Sequence, residues 1–157
     1  VNSSVAETVT QNTRSHTLML PNKNGRGLVD PSTGRTRLSR VVCALDPDRD
    51  PRAALAYLRQ WLPAFGATQI EILMLHTGAH NEATELLLPQ TAGLHWRSQV
   101  RPGDPVASIV AAADELDAQL VVMNTRGPLG LRARMRGSRT DKVLRALRLP
   151  LLSLPAL

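Results

Sequence analysis

The chain has 157 residues and a mass of 17.1 kDa, the size of one ordinary domain. Hydrophobic residues make up 43% and charged residues 20%, enough apolar material for a packed core and too much for a wholly disordered chain. The net charge of +6 is uneven: residues 126–148 hold eight basic side chains against Asp141. That segment carries +7 and the remainder −1, so one region attracts phosphates or acidic partners, or is a solvated arginine-rich helix face.

Several classes fall away at once. No apolar run approaches membrane-spanning length, and the N-terminus lacks the basic-then-apolar layout of a secretory signal. A single cysteine, Cys43, excludes an internal disulfide framework and a four-cysteine zinc site. The reading is a cytoplasmic protein. Aromatics are 3%, too few for base-stacking platforms, which argues against a nucleic-acid partner.

Taken in chain order, the main domain spans residues 40–157. Arg40 to Leu45 is a buried strand closed by Asp46-Pro47. Pro51 suits a first helical turn, and Leu55, Leu58 and Leu62 follow at helical spacing until Pro63 to Gly66. Gln69 to Leu75 is a second strand. Asn81 to Leu88 is a short helix, and His95 to Val100 a third strand. Asp104 is an N-cap with Pro105 at the first helical position, and Val106, Ile109, Val110, Ala113 and Leu116 form one apolar face. Leu120 to Met123 is the fourth strand. Ser138 to Leu147 is the last helix, and Leu151 to Leu154 the fifth strand.

The alternation predicts an α/β fold: a five-stranded parallel sheet with helices on both faces. Such sheets bind ligands beyond the carboxyl ends of their strands, where strand order reverses. Asp46 and the stretch from Asn124 to Ser138 are the residues to examine. In that stretch nine residues separate Gly127 from Gly137, and Gly137-Ser138 opens a helix. Glycines let backbone N–H groups approach an anion, and a helix N-terminus offers unpaired donors. Ser138 is equally suited to capping the helix.

These residues resemble the universal stress proteins. That family's signature is Gly, two residues, Gly, nine residues, then Gly-Ser or Gly-Thr, and this chain reads Asn124, two residues, Gly127, nine residues, Gly137-Ser138. Asp46, Leu75-His76, Gly103-Asp104 and the closing Leu-Pro-Leu-Leu-Ser-Leu-Pro extend the likeness over residues 37–157. The resemblance implies a Rossmann-like fold and a regulatory or sensor domain that binds an adenine nucleotide, ATP with Mg²⁺, without significant catalysis. It places adenine and ribose near Ala44, Leu45 and Asp46, with Met123, Asn124, Arg126 and Gly127 along the ribose and phosphates. Gly137, Ser138, Arg139 and Thr140 would hold the phosphates. Asn124 departs from the family's first glycine, Arg139 from a small or apolar residue, and Leu45 from a small hydroxyl residue. The alternative is a dimerisation or protein-interaction module of the same fold with a degenerate pocket. Homodimers through the edge of the fifth strand are a further implication of the resemblance.

An internal repeat marks the N-terminus. Ser4 to Glu7, Val9 and Thr17 to Pro21 match Ser138 to Asp141, Val143 and Leu151 to Pro155 at a constant offset. Residues 1–21 therefore read as the last helix and strand of a preceding domain, with 22–39 as a linker. The remnant strand is expected to pair with Leu151 to Leu154 at the sheet edge. His76 and His80 have a helical metal-ligand spacing, but His76 ends a strand; no metal site is expected.

Overall fold

A computed structural model describes residues 16–20, 28–46, 50–66, 68–77, 88–125 and 139–155. The strands are β1 (Thr17–Met19), β2 (Arg40–Leu45), β3 (Ile70–Thr77), β4 (Leu94–Arg101), β5 (Leu120–Thr125) and β6 (Leu151–Pro155). The helices are α1 (Arg52–Trp61), α2 (Pro105–Glu115) and α3 (Arg139–Ala146), with a 3₁₀ turn at Leu62–Phe65. The expected helices over residues 4–15 and 81–88 lie, apart from Leu88, outside the described residues.

Among the described residues the sheet has six strands in the order β1-β6-β5-β2-β3-β4. Five of them form the expected parallel sheet, and the sixth is the edge strand expected from Thr17 to Leu20. Strands β2 to β6 are parallel, and the sixth is β1, which pairs antiparallel with β6 within the chain. The open backbone groups of β6 explain the addition: an unpaired edge recruits a strand. The edge that the family resemblance assigns to a homodimer is accordingly occupied by β1.

Buried parallel strands read as near-continuous apolar runs because both faces are covered, and β2 and β5 do so. Alternation divides their side chains between two cores. Val41, Cys43, Leu45, Ile72, Met74 and Val122 face α1 with Leu55, Leu58 and Leu62. Val42, Ala44, Leu73, Leu75, Val121 and Met123 face α2 and α3 with Ile109, Ala113, Val143 and Leu147.

Local chemistry sets the helix ends. Asp104 caps α2: its carboxylate accepts from the Ala107 N–H at 2.8 Å, and Pro105 follows at the first helical position. After α1, Pro63 sits in the first turn of the 3₁₀ segment, and Gly66 closes it at φ +71°.

The segment expected as a linker is structured over its described part. Leu28 and Leu38 are buried in the α1-side core, and Val29 bridges Thr36. Asp30 shapes the intervening turn by accepting from the Ser32 N–H at 2.9 Å and from Arg37 at 2.6 Å. Its polar composition hides two leucines that have a core to enter.

Buried Gln119 fixes β2 against β5. Its Oε1 accepts from the backbone N–H of Ser39 at 3.0 Å and of Arg40 at 2.8 Å, and its own N–H donates to the Arg40 carbonyl at 2.9 Å. This clamp lies at the N-terminal ends of the two strands and sets the register of their far ends.

Candidate functional site

Strand β2 lies between β3 and β5. The chain leaves β2 through α1 on one face and leaves β5 through α3 on the other. The connections diverge there, which opens a crevice at the carboxyl ends of these two strands.

Five of the expected site residues lie at the carboxyl ends of β2 and β5, divided between the two faces of the sheet. Ala44 is paired in register with Met123, and both are buried on the face of α2 and α3. Leu45 is buried on the α1 face, so its contribution at the mouth is its backbone. Asp46 follows, half-buried, just past the end of β2. Asn124 is half-buried in β5, level with Leu154 of β6. Strand alternation places Asn124 on the same face as Val122.

Arg126, Gly127, Gly137 and Ser138 lie outside the described residues. Arg139 and Thr140 form the first turn of α3, directly after that segment, and only their backbone is described.

The sequence places His76 at a strand end, and in the structure it lies at the carboxyl end of β3, next to β2. It pairs in register with Leu45 on one side and Val100 on the other. Its buried Nε2 has no hydrogen-bond partner among the described residues, and burial pushes its pKa below the ordinary histidine value. The signal available in the sequence was its position: a polar ring closing an apolar strand beside the predicted switch point. His80, the other half of the His76–His80 spacing, lies outside the described residues. Among the described residues no three His, Cys, Asp or Glu side chains gather as a metal site.

A groove of about 460 Å³ occupies the opposite end of the sheet, between the C-terminal ends of α2 and α3. Asp114, Asp117, Leu147 and Arg148 line it. It faces the N-terminal ends of the strands, where open α/β sheets do not place their ligands, so the crevice at Asp46 and Asn124 is the better candidate.

The family model described as "Universal stress protein family" matches residues 40–155. No curated protein matches the chain in sequence. Among solved structures, a universal stress protein from Archaeoglobus fulgidus superposes with a TM-score of 0.72 at 20% identity. That match covers 96% of this chain and 53% of the other, so this chain spans about half its length. A universal stress protein family protein from Arabidopsis thaliana with AMP bound gives a TM-score of 0.50 at 14% identity, covering 74% of this chain and 91% of that one. At these identities the likeness establishes the fold. Among the described residues no helix is long and apolar enough to cross a membrane.

Proposed function

Because the chain belongs to the universal stress protein family, we propose that it is a cytoplasmic regulatory domain that binds an adenine nucleotide at the β2–β5 mouth and does not turn it over. The observation that carries this reading is the position of half-buried Asp46 and Asn124 at the carboxyl ends of the adjacent strands β2 and β5, just past the paired Ala44–Met123 level. A carboxylate is an acceptor for ribose hydroxyls, and an amide both donates and accepts, so this donor set suits a nucleoside. Gly127, Gly137 and Ser138 would offer backbone donors to the phosphates, with Arg126, Arg139 and Thr140 adding charge and a hydroxyl. Met123 would support the nucleoside from below. ATP with Mg²⁺ is the form that best matches the basic segment, and the Arabidopsis thaliana neighbour with AMP supports an adenine nucleotide in this fold.

The test is a thermal-shift and calorimetric series with ATP, ADP and AMP, with and without Mg²⁺. At a ligand concentration near 100 times Kd, binding adds about 2.7 kcal/mol of apparent stability. Asp46→Ala should weaken the effect and Gly127→Val should abolish it. A flat response to all three nucleotides overturns the proposal.

One observation favours a second reading. Asn124 puts a side chain where the family has glycine, and that side chain is half-buried at the mouth. A pocket filled in this way would leave a protein-interaction module, and restoration of nucleotide binding by Asn124→Gly would identify it.

We also read residues 1–21 as the last helix and strand of a preceding domain of the same family. The repeat supports this, as does the seat of β1 against β6, the strand it repeats.

A further inference from the structure

The groove of about 460 Å³ between the C-terminal ends of α2 and α3 lies apart from the nucleotide mouth and has a chemistry of its own. Its room comes from alanines. Ala113 in α2, Ala118 before β5 and Ala146 closing α3 each leave space where the two helices meet. Leu147 and Leu149 are buried beneath it in the core that also holds Ala113 and Ala118, so the floor is apolar. A cleft of this volume, with an apolar floor and few polar groups, has the size and make-up of a small-molecule site.

The charged groups sort by wall. Asp114 and Asp117 line the α2 side, and Arg148 lines the α3 side. All three are exposed. Asp117 follows the α2 cap at φ +47°, the position that glycine ordinarily fills, and so adds a carboxylate that the turn does not require. That carboxylate accepts from Arg40 at 2.6 Å. Among the described residues neither Asp114 nor Arg148 makes an ion pair. The C-terminus of α2 adds partial negative charge on the side of the two carboxylates. The groove is therefore dipolar: it favours a cation against α2 and an anion against Arg148.

We propose that this groove is a second ligand site, for a small zwitterion with an apolar body, the chemistry of a free apolar amino acid. The ammonium of the ligand pairs with Asp114 beside the last carbonyls of α2, and its carboxylate pairs with Arg148. Its apolar body covers Leu147 and Leu149. The same chemistry turns a nucleotide away, since its phosphates would meet two carboxylates and a helix C-terminus. Asp117 ties the groove to the β2–β5 clamp. Its carbonyl accepts from the side-chain N–H of Gln119 at 2.6 Å while its carboxylate holds Arg40. A ligand seated against Asp117 steadies the amide that receives the Ser39 and Arg40 N–H groups, and its binding is readable there.

The test titrates the 157-residue chain by calorimetry with leucine, 6-aminohexanoate, isoamylamine and 4-methylpentanoate, and follows amide exchange alongside. At least one of the two zwitterions should bind saturably, with the amine and the acid weaker by about tenfold or more. Exchange should slow at residues 39–40 and 114–119. Asp114→Asn should weaken the zwitterion and the amine and spare the acid. Arg148→Gln should weaken the zwitterion and the acid and spare the amine. Ala146→Trp, at an exposed position, should abolish binding in a protein whose circular dichroism is unchanged. No binding of either zwitterion up to about 10 mM overturns the proposal. So does an amine or an acid that binds as tightly as the zwitterion, or binding that neither charge variant weakens. The nucleotide series reads the other end of the sheet, so the failure of either site leaves the other standing.

Discussion

Ala44 of β2 stands between Met123 of β5 and Leu75 of β3, in register with both, one residue short of the point where β2 ends. The helices that follow β2 and β5 lie on opposite faces of the sheet, so the smallest side chain in the row sits under the crevice. The candidate site is thus a consequence of topology. Its geometry depends on how β2 and β5 are held, and the clamp that holds them is at the other end of the sheet.

That clamp gives the first prediction. Gln119→Ala removes the acceptor of the Ser39 and Arg40 backbone N–H groups and leaves buried donors unmatched. The expected cost is about 1–3 kcal/mol, read as a lower urea midpoint. Because the clamp sets the β2–β5 register, nucleotide-induced stabilisation should weaken along with it in the variant. An unchanged midpoint would mean that water replaces the amide.

Cys43 is fully buried in β2, and burial pushes its thiol up to about 12 from 9.0. A rise of that size leaves about a thousandfold less thiolate at neutral pH, and access is blocked as well. A thiol reagent should modify Cys43 in denaturant and leave it intact in the folded protein. Rapid labelling under native conditions would show that β2 opens at the mouth.

Two glycines with similar backbone angles should respond differently to the same change. Gly93 has φ +77°, and a Cβ there would lie 2.6 Å from the Thr68 carbonyl oxygen. Gly34 has φ +68° and open space around the position. Gly34→Ala should cost about 1 kcal/mol, the strain of a left-handed residue. Gly93→Ala adds a backbone collision beside the Gly93 carbonyl that accepts from Ile70 N–H at 2.8 Å, so it should cost clearly more. Equal losses in a denaturation series would mean that the Thr68 turn moves freely.

Much of the sheet was legible because its signals are local. Arg40–Leu45 was readable to the residue as an apolar run stopped by Asp46-Pro47, and Asp104-Pro105 announced α2 through capping chemistry. Leu28 and Leu38 were hidden: isolated leucines in a polar stretch carry no period, and their burial depends on a core assembled elsewhere. The direction of β1 was also hidden, since a repeated sequence does not state whether its copy runs parallel or antiparallel. In the candidate site, Asp46 and Asn124 were found from topology. His76 was passed over because register across β2, β3 and β4 is a property of the folded sheet.

His76 and three carboxylates set the expected pH response, and they act over different ranges. Burial lowers the pKa of His76, so the folded state favours the neutral ring. Its contribution is complete above the ordinary value of 6.5 and is lost as pH falls through the lower folded value. Asp30 is held below the usual carboxylate range by hydrogen bonds from Ser32 and Arg37, Asp50 by Arg52, and Glu115 by Arg101. Their contributions are complete above the ordinary carboxylate values near 4 and fade as pH falls further; solvent exposure keeps each one small. The denaturation midpoint should therefore decline in two stages, one between about pH 7 and 5 and one below about pH 4. His76→Leu should flatten the first stage and leave the second. A wild-type midpoint that is constant from about pH 7 to 5, or a His76→Leu variant that keeps the full decline, would remove His76 from the acid response and with it the claim that its ring is held neutral by burial at the mouth.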